Sequence, residues 1–137
     1  MNEWIWMPHA GHLIVGRDCR FHLNTCVGGY IVSTVGEYWP DRDIRRRSAE
    51  LRGITVEGRG DEWDANYLRL IGYEEIGYER LYETMVFRAV YDPENGCCPW
   101  RMESGDDLDF DGYNDAGDAF RGHMAMCAKW AREGVPA

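Results

Sequence analysis

Residues 19–36 carry the clearest structural signal in the chain and read CRFHLNTCVGGYIVSTVG. Gly28-Gly29 separates two runs that each place mostly apolar side chains on one face. Such alternation is typical of half-buried strands, and Gly-Gly supplies the positive φ angles of a two-residue primed turn. The segment therefore predicts a β-hairpin whose register pairs Val27 with Tyr30, Thr25 with Val32, Leu23 with Thr34 and Phe21 with Gly36.

The rest of the chain predicts three helices and two further strands. An arginine-rich, mostly polar and solvated helix is expected from Asp41 to about Leu51, a second from Asp61 to about Ile71, and a last one from about Asn114 to Arg132. Strands are expected at 73–76 and 80–90, and an acidic loop at 92–112. The inward faces of the second and last helices are expected to hold Trp63, Tyr67, Leu70 and Ile71, and Ala116, Phe120, His123, Cys127 and Trp130, respectively.

This element order predicts an α+β fold in which an antiparallel sheet carries helices packed on one face. The chain has 137 residues, which fits a single domain spanning residues 1–137. Hydrophobic residues make up 45% of the chain and aromatic residues 13%, so the core can be filled without disulfides.

The charge of the chain is unevenly distributed. The formal net charge is −9; residues 1–60 carry 8 basic and 7 acidic side chains, whereas residues 61–137 carry 7 basic and 17 acidic ones. An acidic half repels the phosphate backbone of a nucleic acid. Direct nucleic-acid binding is therefore not expected, whereas a cation or a protein with a basic surface is a suitable partner.

The cysteines and the first residues indicate a cytoplasmic setting. Residues 1–16 lack the charged and apolar regions of a signal peptide, and no stretch of the sequence is long and apolar enough to span a membrane. The chain has five cysteines, an odd number, and we expect them to be free thiols or metal ligands in a reducing compartment.

Several segments together resemble a known group of proteins. They are Cys19-Arg20-Phe21-His22-Leu23, residues 32–38, residues 82–87, and Gly112-Tyr113-Asn114-Asp115-Ala116 with Gly122-His123 and Met126-Cys127. Through them the chain resembles a family of uncharacterised small accessory proteins of tailed bacteriophages and prophages. The resemblance implies the cytoplasm of an infected bacterial host and assigns no catalytic residue. Small acidic phage proteins are often inhibitors of host machinery, including CRISPR effectors and other defence nucleases, which is an analogy at the level of setting.

Histidine and cysteine recur at spacings that suit zinc. His123 and Cys127 lie one turn apart on the same face of the predicted last helix, as two ligands of one metal require. Cys97 and Cys98 lie in the acidic loop, which is long enough to fold over that helix. Cys97, Cys98, His123 and Cys127 are therefore candidate zinc ligands. The alternative is core packing, because cysteine and histidine are common on inward helix faces.

A calcium loop is the second and weaker metal hypothesis. Gly112 and five acids follow the spacing of an EF-hand loop, in which carboxylate oxygens bind the hard cation. Leu108 and Phe110, however, stand where polar residues are usual. The alternative is a polar turn in which Asn114 or Asp115 caps the last helix. The five acids are Asp107, Asp109, Asp111, Asp115 and Asp118.

The sequence favours a binding protein over an enzyme. It contains no nucleophile elbow, P-loop, H-E-x-x-H, dinucleotide or deaminase motif. Carboxylates spaced along a surface can instead imitate DNA phosphates and occupy a basic groove, with a nearby aromatic residue as anchor. The candidate partner-binding residues in the acidic segment are Asp106, Asp107, Asp109, Asp111, Asp115, Asp118 and Trp100.

The resulting hypothesis is a phage-encoded, non-enzymatic binding protein of the anti-CRISPR type. It would inhibit a host nucleic-acid-binding defence complex as a DNA mimic, by engaging a host or phage protein that has a basic surface. Two alternatives stay open. One is a zinc-binding module or metal-dependent enzyme, and the other is a minor virion or assembly component.

Overall fold

A computed structural model describes residues 3–8, 11, 18–76, 79–94, 99–103 and 106–133. The sheet follows the order β1-β2-β3-β4-β5, and β6 pairs with β4 as well; every pairing is antiparallel. Helix α3 packs against this curled sheet, so the α+β prediction is confirmed. The elements are β1 (Trp4–Met7), β2 (Cys19–Val27), β3 (Tyr30–Tyr38), α1 (Arg42–Leu51), α2 (Asp61–Leu70), β4 (Tyr82–Tyr91), β5 (Trp100–Met102), β6 (Asp109–Tyr113) and α3 (Ala116–Glu133).

The β2–β3 hairpin forms in the predicted register. Val27 pairs with Tyr30, Thr25 with Val32, and Phe21 with Gly36. Within the turn only Gly28 takes a positive φ, of 60°. In this class of primed turn only the first of the two central residues takes a positive φ. Gly28 is therefore needed for its backbone freedom, whereas Gly29 is not.

The main core lies between α3 and the centre of the sheet. Val27, Val32 and Val86 from three adjacent strands pack against α3. The helix contributes a buried stripe, spaced by three or four residues as one helix face requires, which comprises Ala119, His123, Met126, Cys127 and Ala131. Phe120 was predicted to face inward, but its side chain is 50% exposed. Ala119 faces the sheet instead, and its small side chain lets α3 approach the strands closely.

The opposite face of the sheet has a smaller core. Met7 of β1, Cys26 of β2 and Ile31 of β3 form a buried cluster. Trp100 and Met102 of β5 pack against this cluster, which is why β5 follows the curl of the sheet. Both faces of the sheet centre are therefore covered.

Helices α1 and α2 share a separate aromatic cluster beside the end of β3. Trp63 and Tyr67 of α2 stack with ring centroids 5.3 Å apart, and Trp39 meets Tyr67 edge-on at 5.7 Å. The predicted stripe of α2 is therefore confirmed for Trp63, Tyr67 and the half-buried Ile71, whereas Leu70 is 44% exposed. Helix α1 was expected to be solvated, but Arg45 is only 4% exposed and lies inside this cluster.

Three strands were not predicted, and one predicted strand does not form. The acidic segment taken as a loop at 92–112 contains β5 and most of β6, because pairing with the long β4 satisfies its backbone groups. Strand β1 closes the other side of the sheet against β2. The strand predicted at 73–76 is reduced to a single bridge between Glu74 and Tyr38.

We predict that Gly122→Ala lowers the free energy of unfolding by about 2 kcal/mol, since overpacking a filled site costs roughly 1–3 kcal/mol. A Cβ at Gly122 falls 2.0 Å from Oη of Tyr113, which lies where β6 meets α3. Chemical denaturation measures the loss. In the control, Gly117→Ala on the same helix, the new Cβ meets mainly the flexible end of Arg121 at 3.2 Å, so stability should be unchanged or slightly raised. Equal losses in both variants would contradict this explanation.

Candidate functional site

Strand β6 places two of the predicted acidic residues, Asp109 and Asp111, at an edge of the sheet. It pairs with β4 on one side, from Tyr82↔Tyr113 to Val86↔Asp109. Within the described residues no strand pairs with its other side. The sequence signal for this strand is the alternation Asp107-Leu108-Asp109-Phe110-Asp111, which has the period of two that strands require. The segment was nevertheless predicted to be a loop, because it is rich in acidic residues, which are uncommon in strands.

Some of the predicted acids are held in place by neighbouring groups. Asp109 accepts hydrogen bonds from Nζ of Lys129 at 2.6 Å and from Nε1 of Trp130 at 2.9 Å. Its partial burial acts to raise its pKa, but these donors and the backbone N–H of Phe110 lower the pKa overall. Asp118 pairs with Arg121 at 2.6 Å, which lowers the pKa of its carboxyl. Asp109 and Asp118 are therefore ionised and already partnered.

Asp115 has a structural role at the start of α3. Its Oδ1 accepts a hydrogen bond from the backbone N–H of Asp118 at 2.8 Å. A side-chain oxygen at this position satisfies one of the free N–H groups in the first helical turn. The alternative in which Asp115 caps the last helix is therefore confirmed.

Two further acids, one just before β6 and one within it, are exposed and have no ionic partner among the described residues. Asp107 and Asp111 form no ion pair with a described residue, and both side chains are exposed. The Oδ1 of Asp111 accepts a hydrogen bond from the neighbouring backbone N–H of Gly112 at 2.9 Å. Leu108 and Phe110 lie between them in sequence and are 40% and 49% exposed. We call Asp107, Leu108, Phe110 and Asp111 the acidic strip.

The negative potential near this strip affects a buried carboxyl. Glu83 of β4 is only 6% exposed. Burial raises the pKa of Glu83, and the charge of Asp107 raises it further. A cationic group that approached Asp107 and Glu83 would offset this repulsion between the two carboxylates. The strip is thus suited to a basic ligand.

Trp100 and Asp106 complete the predicted partner-binding set. Trp100 is half-buried, packs on the Met7 cluster, and its ring lies 5.1 Å from that of Tyr91. Trp100 therefore supports the fold, and Phe110 is the more accessible aromatic side chain. Asp106 is exposed and directly precedes the strip.

His123, a predicted zinc ligand, lies in a hydroxyl network between α3 and the sheet. The side chain is 0% exposed. Its Nε2 lies 2.9 Å from Oγ1 of Thr25, and its Nδ1 lies 2.7 Å from Oγ1 of Thr34. Thr34 also meets Oγ1 of Thr84 at 2.6 Å. Because both ring nitrogens are hydrogen-bonded to threonines, neither nitrogen is directed at an open site.

The described cysteines are protonated thiols in the core. Burial raises the pKa of Cys127 to about 12, of Cys19 to about 12 and of Cys26 to about 11. A thiol must lose its proton to act as nucleophile or zinc ligand. Cys97 and Cys98 lie outside the described residues. Among the residues that the structure describes, no three His, Cys, Asp or Glu side chains form a group that could hold a metal ion.

The segment with calcium-loop spacing is extended. Asp109 and Asp111 belong to β6, and Asp115 and Asp118 belong to the start of α3. An EF-hand loop must instead curl its carboxylates around one centre. The strand pairing with β4 holds Asp109 and Asp111 in an extended conformation, and Asp115 and Asp118 follow in the first turn of the helix.

We predict that His123 makes stability depend on pH. Burial lowers its pKa to about 4, whereas the unfolded value is 6.5. The unfolded chain therefore binds more protons, so stability is complete above pH 6.5 and is lost as the pH falls towards 4. The contribution amounts to about 2 kcal/mol between about pH 7 and pH 5. Urea unfolding of wild type and His123→Gln at both pH values measures it; identical pH slopes would contradict the assignment.

No helix in the described part of the chain combines the length and apolarity needed to cross a membrane. A comparison of the sequence with protein-family models finds no match, and comparisons with curated proteins and with solved structures find none either.

Proposed function

We propose that this chain is a non-enzymatic binding protein whose acidic strip engages a basic surface on a partner protein. The sharpest form of the proposal is a phage-encoded inhibitor that occupies the nucleic-acid groove of a host defence complex. The observation that carries it is the exposure of Asp107 and Asp111 at the start and in the middle of an edge segment that also exposes Leu108 and Phe110; neither acid forms an ion pair with a described residue.

The strip combines the two kinds of contact that a protein interface needs. Carboxylates complementary to a basic surface speed association and select the partner. Apolar side chains at the centre of an interface supply most of its affinity, and Phe110 is suited to that role. Because successive side chains alternate along a strand, the carboxylates and the apolar side chains flank the free edge on opposite faces, and a partner that binds across the edge contacts both.

The strip is also held in a fixed conformation. Pairing of β6 with β4 fixes its backbone, and Asp109 is tied to Lys129 and Trp130 of α3. Alternate side chains along a strand lie roughly 7 Å apart on one face. A rigid row of charges loses less conformational entropy on binding than a mobile loop does.

Charge argues against a nucleic acid as the direct ligand. The net charge is −9, and the exposed acids of β6 would repel phosphates. The same charge favours a protein that itself binds nucleic acid, because its groove is basic.

The proposal is tested by affinity capture from a bacterial host lysate with three tagged proteins. They are the wild type, a strip variant (Asp106→Asn, Asp107→Asn, Asp109→Asn and Asp111→Asn) and a matched control. The control neutralises four exposed acids far away in sequence, Glu50→Gln, Glu57→Gln, Asp61→Asn and Glu62→Gln. Captured proteins are identified by mass spectrometry after low-salt and high-salt washes.

The expected result is a nucleic-acid-binding protein that the wild type and the control retain and the strip variant does not. Retention should weaken at high salt, because contacts between exposed charges are screened. Because Asp109 also contacts α3, unfolding curves must show that the strip variant is folded. A partner captured equally by the folded strip variant would contradict the proposed function.

A further inference from the structure

Helix α1 exposes apolar side chains and buries a charged one. Arg45 and Ala49 are each 4% exposed, whereas Ile44 is 47% and Leu51 85% exposed. Amphipathic surface helices normally have the opposite arrangement. The outer face of α1 therefore presents apolar surface that the described chain does not cover.

The contacts of Arg45 fix this orientation. Its guanidinium donates to Oδ1 of Asp64 at 2.7 Å and to the carbonyl of Pro40 at 2.9 Å. It also lies 4.1 Å from the ring centroid of Trp39. Arg42 adds a bidentate pair with the same Asp64, at 3.0 and 2.7 Å. Rotation of α1 to bury Leu51 would break all of these bonds.

The outer face of α1 forms a shallow basic groove. It has a volume of about 450 Å³ and is lined by Ile44, Arg47, Ser48, Leu51 and Arg52. Arg47 forms no ion pair with any described residue, and Arg52 reaches Glu74 only at 3.4 Å. The first four lining residues are spaced i, i+3, i+4 and i+7, so they lie on one face of the helix. Helices that bind a partner through one face use this spacing. The groove thus suits a ligand that carries both carboxylates and apolar side chains.

The chain itself carries a surface of that chemistry. The acidic strip places the carboxylates of Asp107 and Asp111 on one side of the free edge and the apolar side chains of Leu108 and Phe110 on the other, because successive side chains alternate along a strand. We propose that the outer face of α1 docks on the acidic strip of a second copy of this chain. In this contact Arg47 faces the carboxylates and Leu51 packs on Leu108 and Phe110.

A second copy fits the groove better than a nucleic acid does. Phosphate backbones offer no apolar surface for Leu51 and Ile44, and the net charge of −9 repels them. Within the copy-to-copy contact, by contrast, the carboxylates are the counterparts of Arg47, and Leu108 and Phe110 are the counterparts of Leu51. Complementary charges at an interface also set its register.

The contact is heterologous, because different faces of the two copies meet. Such contacts propagate into open chains or close into rings. The interface is small, so we expect weak association with a dissociation constant on the order of 10–100 μM. Self-association would occupy the strip that the proposed function assigns to a basic partner, so assembly and partner binding are mutually exclusive.

Sedimentation velocity of the purified full chain tests the contact. We expect the average mass to rise between about 5 and about 500 μM at low salt, and to fall again at high salt. Arg47→Glu should weaken the association at least about tenfold, because it places like charges together. Arg69→Glu, an equal charge change on the exposed face of α2, should leave it unchanged.

A mixing experiment separates a head-to-tail contact from any other. Arg47→Glu retains the acidic strip but loses the groove, whereas Asp107→Lys with Asp111→Lys retains the groove but loses the strip. Each variant alone should remain monomeric, and an equimolar mixture should form a dimer and nothing larger. A wild type that stays monomeric throughout, or a mixture that does not dimerise, would overturn the proposal. Arg47→Glu should still capture the basic partner, so the two proposals fail separately.

Discussion

Replacing His123 by alanine is expected to lower the free energy of unfolding by about 3–5 kcal/mol. The imidazole is completely buried and hydrogen-bonded to Thr25 at 2.9 Å and to Thr34 at 2.7 Å. Its removal leaves a cavity between α3 and the sheet and takes a partner from two buried hydroxyls. Thr34 keeps its hydrogen bond to Thr84, whereas the loss of a partner for a buried hydroxyl adds up to roughly 1–3 kcal/mol to the cost of the cavity. Urea denaturation at neutral pH measures the loss.

The control for this substitution is Met124→Ala on the same helix. Met124 is 37% exposed, so its truncation should cost less than about 1 kcal/mol. His123→Gln should recover part of the loss, since an amide can donate to one threonine and accept from another. If His123→Ala and Met124→Ala were equally stable, the network would not contribute to the fold as argued.

Replacing Arg45 by alanine is expected to cost about 3 kcal/mol, near the lower end for removing one partner of a buried ion pair. The loss combines the bonds to Asp64 and Pro40 with the contact of the guanidinium on Trp39. Cation–π contacts between buried groups contribute roughly 1–2 kcal/mol. Arg45→Lys should be intermediate, because it retains the charge but loses the planar fork.

Arg46→Ala provides the comparison for this second prediction. Arg46 is exposed and reaches Asp43 only at 3.6 Å, so its removal should change stability by less than about 0.5 kcal/mol. Thermal or chemical unfolding of the three variants measures these differences in stability. An Arg45→Ala protein as stable as Arg46→Ala would show that the orientation of α1 does not depend on Arg45, which would also weaken the argument for its exposed outer face.

The hairpin and the helices were predictable because their signals are local. Gly28-Gly29 defines the turn, and once the turn is placed, strand pairing fixes the whole register. Asp41 marks the start of α1 and accepts from the backbone N–H of Ile44 at 3.0 Å, as expected of a cap. Both signals act over a few residues.

The errors concern contacts between distant parts of the chain. The burial of Arg45 depends on Asp64 of another helix and on Trp39 after β3, which no local pattern indicates. Strand β6 depends on pairing with β4, and its acidic residues have low strand propensity. Tertiary pairing overrides such preferences.

The candidate site was predictable in composition but not in geometry. The sequence indicates an acidic surface, but the structure divides the acids into partnered ones, such as Asp109, and exposed ones, such as Asp107 and Asp111. His123 and Cys127 do lie one turn apart on one face of the helix, but the imidazole of His123 is hydrogen-bonded to threonines of β2 and β3. Only the three-dimensional arrangement shows which groups are available to a partner.

The most direct test of the acidic-strip function is a competition between this chain and duplex DNA for the captured partner, measured by fluorescence anisotropy of labelled DNA. We predict that the wild type displaces the DNA, that displacement weakens with salt, and that neutralising Asp107 and Asp111 raises the concentration required at least about tenfold. A ternary complex in which DNA stays bound, or equal displacement by the neutralised variant, would contradict the account.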